Sequence, residues 1–593
     1  MAKQGELQKN SFVICNVQLL RSGELKLSKE QLIFSDDKLC IAVNRSNENH
    51  IVHQQIDTHV YLYFGEQKQR GDQVFDRGNL DTSDLKGTLI DYDIVNKKLT
   101  VQSDILGTAP IFYYNEGQNL LLSNRLENFA RIITGLECDH AAGISYLMHG
   151  YTIGENTLYQ QVSQTRQEEG LSIKLSSSEP IIKKTASISW HYDCAPADID
   201  KLETLIRGLS DDLTGSVLMS SAGWDSRLLL SIMTEKERSA GYSHGDLESR
   251  ELRITEKMIQ QATSLEFGAR SLSSMKLDFQ CINEMLEEVG FCLFPYWYRS
   301  SEHISRDVEK PISSGVLGEL IGGHYGVSST GSRINKFKSL FSVLLKVKPP
   351  APQNTFTTEE LQYIFKSLTS VPKDLWYLTT KHKKELPKLA EKHAERVNAL
   401  LKHYDPEQVL GPQQVFERFN MEHRARQYIL NQSRTSIPFG GYRIPFAQYE
   451  LVKFALNTAF ETRIHNGLNK EVIRRTNKKL LEYPMAATLV NAGSPIILQE
   501  FSRVVRIVAE IIRSKLGKSR MRLGWNNFEF LQKDHPLFEQ IVNSLKLTIW
   551  DYDALKHNIN DSKFADPFSM LDMLCKIKAV DYYWSLLDRD ISE

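Results

Sequence analysis

The sequence contains no apolar run long enough to cross a bilayer, and its polar start, MAKQGELQKN, lacks the apolar region of a signal peptide. Its seven cysteines are scattered, odd in number and never spaced as CxxC, which argues against a disulfide framework or a zinc site. A formal net charge of -1 gives no overall field that favours nucleic acid. We therefore expect a cytoplasmic protein that neither spans a membrane nor binds nucleic acid.

A change of pattern near residue 195 predicts two domains, over residues 1–192 and 193–593. Before it, short segments of strand character predominate. TLIDYDIV and LTVQSDI form one predicted hairpin, and APIFYYNEGQNLLLSN forms a second that turns at residues 115–117. The segment DIDKLETLIRGLSDDL is a predicted helix. After residue 215, short apolar strands alternate with helical segments, which is typical of a parallel sheet, and the last third is mostly helical.

The stretch VLMSSAGWDSRLLLSIM, at residues 217–233, predicts a buried strand that turns directly into a helix. Such a turn lies at the carboxyl end of the strand, where open α/β sheets bind ligands. Gly223 lets the backbone approach a ligand closely, and Ser221 and Ser226 offer hydroxyl groups to phosphate oxygens. Asp225 would face a phosphate only with Mg²⁺ between them. The simpler alternative is a plain turn in which Asp225 caps the helix.

The spacing of this turn resembles the SGGxDS loop of the ATP pyrophosphatase (PP-loop) superfamily, with Ala222 in place of the first glycine. Further stretches resemble the asparagine synthetase family, in the same order: SAGYSHGDLESRELRITEKMIQQA, SSGVLGELIGGHY, GGYRIPFAQYELVKFAL and GLNKEVIRR. Upstream, the segment from LKGTLIDYDIV to ENFARI resembles the glutaminase-like domain of that family. The resemblance covers nearly the whole chain. It implies an α/β protein with an N-terminal Ntn-hydrolase-like αββα sandwich, followed by a PP-loop parallel-sheet domain with a helical C-terminal part.

The resemblance also implies that ATP and Mg²⁺ bind to this chain, and it assigns residues to three roles. The nucleotide-binding residues would be Leu218, Ser221, Gly223, Asp225, Ser226, Tyr242, Ser314 and Gly315. Asp225 and Glu319 would bind the metal. Glu319, Arg443 and Lys470 would be catalytic, with Lys470 stabilising the charge that develops during adenylation and amide formation.

Two departures from the family pattern concern the synthetase motifs. The first is the loop SGVLGELIGG, which is one residue shorter than the family loop and has Gly318 in place of the aspartate before the metal-binding glutamate. In the same loop Val316 replaces an acidic residue that helps to deprotonate the attacking amine in relatives, which implies either another base, His324 or Tyr325, or no catalysis. The second is Gln448, which replaces an aspartate in the PFAQ stretch.

These features together predict an AMP-forming carbon–nitrogen ligase. It would adenylate a small-molecule or peptide carboxylate and couple it to an amine or ammonia without using glutamine, in natural-product or surface-polysaccharide biosynthesis. β-Lactam synthetases and lasso-peptide cyclases are relatives of this kind. The alternatives are a degenerate ATP-binding scaffold and an ammonia-dependent asparagine synthetase, and a homodimer is left open.

Two other stretches have competing interpretations. GYSHG, at residues 241–245, matches the GxSxG elbow of α/β-hydrolases with Ser243 as nucleophile, but the preceding EKERSA is too polar for a buried central strand. EFSRVVRIVAEIIRSKLGKSRMR, at residues 500–522, predicts a basic amphipathic helix. Its ordinary interpretation is a packed helix with a solvated polar face, and the alternative is a helix that binds a membrane surface or a partner.

The first domain is expected to have no glutaminase activity. Working relatives carry a cysteine directly after the initiator methionine, and Ala2 stands at that position here. Cys15 lies on the equivalent strand, but its amine would be exposed only after removal of a propeptide. Incubation of the purified chain with glutamine should therefore release no glutamate. Measurable release would overturn this expectation, and an N-terminus at Cys15 would reopen it.

Overall fold

The computed structural model describes most of the chain. The described residues are 6–16, 19, 28, 31–45, 50–66, 86–167, 169–175, 179–186, 195–233, 240–307, 310–325, 368–372, 375–404, 412–516, 524–531, 536–560 and 566–587. Ala2 and the domain boundary expected at 192/193 lie outside these residues.

The described strands form two antiparallel sheets and one parallel sheet. The strands are β1 Ser11–Asn16, β2 Leu32–Ser35, β3 Leu39–Asn44, β4 Ile51–Ile56, β5 His59–Gly65, β6 Gly87–Asp93, β7 Lys98–Ser103, β8 Phe112–Glu116, β9 Asn119–Ser123, β10 Ser163–Gln164, β11 Glu169–Lys174, β12 Ile181–Ala186, β13 Val217–Met219, β14 Ala240–Gly245, β15 Glu266–Ser271, β16 Ile312–Ser314 and β17 Tyr442–Arg443. The first antiparallel sheet has the order β10-β8-β9-β1-β3-β2, the second has the order β12-β11-β7-β6-β5-β4, and the parallel sheet has the order β15-β14-β13-β16-β17.

The described helices lie mainly in the second half of the chain. They are α1 Glu127–Ile132, α2 His140–His149, α3 Ile199–Gly208, α4 Ser210–Leu213, α5 Trp224–Leu230, α6 Arg250–Ala262, α7 Phe279–Glu288, α8 Pro295–Asp307, α9 Thr380–Lys383, α10 Leu386–Tyr404, α11 Pro412–Asn420, α12 Asn431–Arg434, α13 Tyr449–Asn457, α14 Phe460–Arg463, α15 Gly467–Thr476, α16 Ile496–Lys515, α17 Leu537–Asn543, α18 Tyr552–Asn560 and α19 Pro567–Ser585. A π-helical stretch, Met421–Ile429, joins α11 to α12.

The two antiparallel sheets pack face to face. Alternate residues of each strand point into one core, which contains Ile14 and Ile41 from the first sheet and Ile90 and Val101 from the second. The other face of the first sheet is covered by helices, among them α1, α2 and α19. Both hairpins expected here are present, as β6–β7 and β8–β9. The second turns at residues 117–118, because Asn115 and Glu116 still pair within the ladder.

The parallel sheet follows from the predicted strand-turn-helix pattern. β13 is its central strand and pairs in parallel with β14 and β16. Helix α5 follows β13 directly, and α3 and α4 form the predicted helical segment before it. The chain is therefore a mixed α/β protein with two antiparallel sheets and one parallel sheet plus helices. Within the described ranges, no helix has the length and apolar character needed to cross a membrane.

A buried ion pair joins the antiparallel-sheet part to the helical part. Arg166 donates to both carboxylate oxygens of Glu422, at 2.7 and 3.1 Å. Burial alone would raise the pKa of Glu422, but the charge and hydrogen bonds of Arg166 outweigh burial and lower this pKa to about 2. The carboxylate is therefore ionised at neutral pH. Trp584 of α19 also donates to the carbonyl of Leu158, at 3.1 Å.

Helix α19 packs against α2 so closely that a methyl group at Gly143 has no room. A Cβ atom there would lie 2.4 Å from the ring of Trp584. Alanine normally stabilises a helix interior relative to glycine by about 0.5–1 kcal/mol. Gly143→Ala should nevertheless destabilise the protein by about 1–3 kcal/mol, because the indole must move. Thermal unfolding measures this. Gly208→Ala is the matched control, since the space beside Gly208 is open, and equal midpoints for both variants would contradict the packing.

Candidate functional site

The turn between β13 and α5 is held by its own serines. The hydroxyl groups of Ser221 and Ser226 lie 3.1 Å apart, and the amide of Gly223 donates to Ser221 Oγ at 3.2 Å. Gly223 is the residue before the helix and has φ -70, so it is not there for a left-handed backbone. Because glycine has no side chain, Gly223 leaves space where the turn borders a cavity.

Asp225 lies in the first turn of α5 but does not cap it, because the structure shows no side-chain capping bond at this helix. The plain-turn alternative is wrong in this respect. Asp225 is half-buried as a residue, but its Oδ1 is buried and has no hydrogen-bond partner among the described residues. Burial and the nearby charge of Glu319 raise the pKa of Asp225 well above its usual range. A carboxylate held in this way is a candidate ligand for a cation.

The loop that carries Glu319 packs directly on Asp225. It follows β16, whose Ser314 pairs in register with Met219 of β13, so both loops leave the same edge of the sheet. A Cβ atom at Gly318 would lie 2.9 Å from Cβ of Asp225 and 2.7 Å from the ring of Phe446. The absence of a side chain at Gly318 is therefore what allows this close approach.

The residues that enclose Glu319 include a buried phenol. Burial, and then the charges of Glu319 and Asp225, raise the pKa of Tyr325 well above its usual range. Tyr325 is therefore a proton donor at neutral pH and is poorly suited to act as a base. His324 is exposed, and its Nε2 lies 3.0 Å from Nδ2 of Asn466. His324 does not line the cavity that opens beside Asp225 and Glu319.

A cavity of about 450 Å³ opens beside the two loops. One wall is polar and is formed by Ser220, Ser221, Gly223, Asp225, Ser226, Ser314, Gly315 and Glu319. A second wall is aromatic and is formed by Phe294, Tyr296, Trp297, Tyr428, Trp525 and Phe568. The cavity therefore joins oxygen-rich and apolar surfaces, as sites for small organic ligands commonly do.

The structure brings seven of the predicted site residues to this cavity: Ser221, Gly223, Asp225, Ser226, Ser314, Gly315 and Glu319. It does not bring the other four. Leu218 and Tyr242 are buried within their strands. Arg443 donates to the carbonyls of Asp212 and Thr214, at 2.8 Å each. Lys470 is half-buried and donates to the carbonyl of Ser494, at 2.9 Å.

The hydrolase interpretation of GYSHG has no catalytic pair. The hydroxyl of Ser243 donates to the carbonyl of Ser220, and His244 Nδ1 lies 2.9 Å from Ser300 Oγ instead. Burial lowers the pKa of His244 to about 3, so this imidazole is neutral. Its ring centroid lies 5.3–5.4 Å from those of Tyr296, Trp297 and Trp525. His244 is therefore part of the aromatic wall.

Arg424 was not predicted from the sequence. Among the described lining residues it is the one with a permanent positive charge, and its side chain is exposed. It lies on the π-helical stretch Met421–Ile429, a backbone form that often marks functional sites. No motif signals it, because a π-helical turn leaves no distinct spacing of apolar residues.

No family model and no curated protein matches the sequence. Among solved structures, the chain resembles a glutamine phosphoribosylpyrophosphate amidotransferase from B. subtilis, complexed with ADP and GMP, at 11% identity and a TM-score of 0.18. The match covers 37% of this chain and 55% of that chain, so this chain spans about half the length of the solved one. A likeness this weak carries no argument about fold or activity.

The buried charge of Asp225 predicts a pH-dependent cost to stability. A carboxyl whose pKa is raised on folding stabilises the fold while protonated, and this contribution is lost as the pH rises through the raised pKa. Asp225→Asn should therefore raise the thermal midpoint at neutral pH and leave it unchanged or lower at acidic pH. Thermal scans across pH measure this, with Asp553→Asn as the matched control on an exposed carboxylate. A midpoint at neutral pH no higher than that of the wild type would show that the carboxylate is already compensated.

Proposed function

We propose that the cavity binds ATP with Mg²⁺ and that the chain is an AMP-forming carbon–nitrogen ligase. The observation that carries the proposal is the buried, unpartnered Oδ1 of Asp225 beside Glu319, at the carboxyl ends of adjacent parallel strands. It is supported by the resemblance to the asparagine synthetase family, whose nucleotide and metal motifs fall on the same two loops. In this reaction a carboxylate is activated by ATP with release of pyrophosphate and is then joined to an amine.

The donor set fits Mg²⁺. Asp225 Oδ1 is an orphaned acceptor and Glu319 supplies a second carboxylate, while the described residues hold no cluster of three or more metal-ligating side chains. Mg²⁺ is typically held by one or two carboxylates and takes its other oxygens from phosphates and water. When bound, it would neutralise phosphate charge. Deprotonated Asp225 would then be stabilised, since the cation reverses the electrostatic cost of its burial.

The two walls of the cavity have different roles in this proposal. The hydroxyl groups of Ser221 and Ser226 are donors for phosphate oxygens. Their contact with each other, at 3.1 Å, would be exchanged for contacts with the nucleotide. The aromatic wall excludes water from the other side, which would protect an activated carboxylate from hydrolysis.

Arg424 is the residue that we propose to stabilise the developing negative charge. It lines the cavity, whereas Lys470 would first have to leave the carbonyl of Ser494. Burial, and then the charge of Arg474, lower the pKa of Lys470. The role that the resemblance implies for Lys470 therefore requires a movement of its side chain, and the role of Arg424 does not.

Nucleotide binding without turnover is a second candidate. It is favoured by the placement of Lys470 and Arg443, neither of which lines the cavity. Such a chain would be a scaffold whose ATP site responds to the nucleotide but performs no chemistry. An ammonia-dependent asparagine synthetase remains an alternative substrate assignment for the same site.

Arg424→Gln tests the proposal. Loss of a preorganised charge-stabilising group lowers turnover by about 10²–10³-fold. Wild-type protein should bind Mg·ATP in calorimetry and release pyrophosphate with a suitable carboxylate and amine, and the variant should lose this release. Arg207→Gln is the matched control, because Arg207 is paired with Glu203 on the surface of α3.

Two results would count against the proposal, and a third would change the assignment. Absence of Mg·ATP binding by the wild type would overturn the nucleotide site. Binding without pyrophosphate release from any substrate pair would favour the scaffold. Full turnover in Arg424→Gln together with loss in Lys470→Met would return the charge-stabilising role to Lys470.

A further inference from the structure

Helix α16 turns its apolar face to solvent. Nine large apolar side chains of α16, and Leu516 directly after it, keep 42–66% of their surface exposed. The nine are Ile497, Leu498, Phe501, Val504, Val505, Ile507, Val508, Ile511 and Ile512. Elsewhere in the described ranges, the exposed large apolar side chains are Leu32, Val95, Ile181 and Leu247. A contiguous apolar patch of this kind marks an interaction surface rather than ordinary exposure.

The polar side of α16 lies toward the body of the protein. Gln499 donates to the carbonyls of Ala492 and Ser494, and Ser502 donates to the carbonyl of Thr488. Arg506 is half-buried and pairs with Glu510 along the helix. The helix is amphipathic as predicted, but the expectation of a packed apolar face and a solvated polar face is wrong, because the described contacts hold the polar side inward.

The width of the exposed face indicates what covers it. Phe501, Val505, Val508 and Ile512 follow the alternating spacing of three and four residues that forms the seam of a coiled coil. In a two-helix coil the flanking positions carry charges, but here Ile497, Val504 and Ile511 extend the apolar surface along one flank. A face about half the circumference wide is broader than a partner helix buries and suits a continuous apolar phase.

Helix α16 carries more positive than negative charge, although the whole chain has a formal net charge of -1. It has two acidic residues, Glu500 and Glu510, and four basic ones, Arg503, Arg506, Arg513 and Lys515. Arg503 and Arg506 pair with Glu500 and Glu510, so the helix has a net charge of +2. The sequence continues with Lys518, Arg520 and Arg522. A net positive charge on a helix with an exposed apolar face complements the negative surface of an anionic bilayer.

We propose that α16 docks the protein on an anionic lipid bilayer, lying in the plane of the surface with its apolar face in the acyl boundary. No step of the proposed ligase reaction is needed for this binding. The helix begins two residues after Ser494, whose carbonyl accepts the ammonium of Lys470.

Co-sedimentation of the full chain with vesicles tests the proposal. Wild-type protein should bind vesicles of phosphatidylcholine with about 30% phosphatidylglycerol, should bind pure phosphatidylcholine more weakly, and should be released by salt. Val508→Glu should reduce binding by about ten-fold or more, because an ionised carboxylate resists entry into the acyl boundary. Val95→Glu makes the same change at an exposed valine in the β6–β7 turn and should bind like the wild type.

The circular dichroism spectra and thermal midpoints of both variants should equal those of the wild type, since both valines are exposed. Phe501→Glu provides a second charge substitution on the exposed face of α16. Wild-type protein that stays in the supernatant with anionic vesicles overturns the proposal, as does equal binding by Val508→Glu. Light scattering then assigns the face. A dimer that Val508→Glu dissociates shows that a second copy covers the face.

Discussion

The ion pair between Arg166 and Glu422 holds in place the π-helical stretch that contributes Arg424 to the lining of the cavity. Glu422 lies on the π-helical stretch Met421–Ile429, two residues before Arg424 in the cavity. Arg426, two residues further on, donates to backbone carbonyls of the antiparallel-sheet part. Because these anchors come from the N-terminal part, that part positions the cavity whether or not it has an activity of its own.

Glu422 and Asp225 have carboxylates with opposite energetics. Glu422 is compensated by a bidentate guanidinium, and removal of one partner from such a pair costs about 3–5 kcal/mol. Asp225 is uncompensated, since its Oδ1 has no partner among the described residues. A fold retains an uncompensated buried charge at the expense of stability, and such charges concentrate at functional sites. The contrast favours Asp225, rather than the stronger ion pair, as the candidate cation ligand.

Local patterns in the sequence predicted the local structure well. The β6–β7 hairpin and the strand-turn-helix at β13 depend on residues close together in the chain, and both are present. The aromatic wall was not predictable, because Phe294 and Trp525 meet only after folding. Arg443 shows the converse: a resemblance in sequence predicted a catalytic role, yet its guanidinium donates to backbone carbonyls and does not line the cavity. The orientation of α16 could not be predicted from the sequence either, because an amphipathic pattern does not show which face turns inward.

The carbonyl of Ser494 links the exposed helix to Lys470. It accepts hydrogen bonds from the ammonium of Lys470 at 2.9 Å and from the side-chain amide of Gln499 at 3.0 Å. Gln499 belongs to the first turn of α16, and Lys470 belongs to α15, which packs on the helix that carries Asp225. Because both donors share one oxygen, the position of the Lys470 ammonium is tied to the position of the helix whose apolar face is exposed.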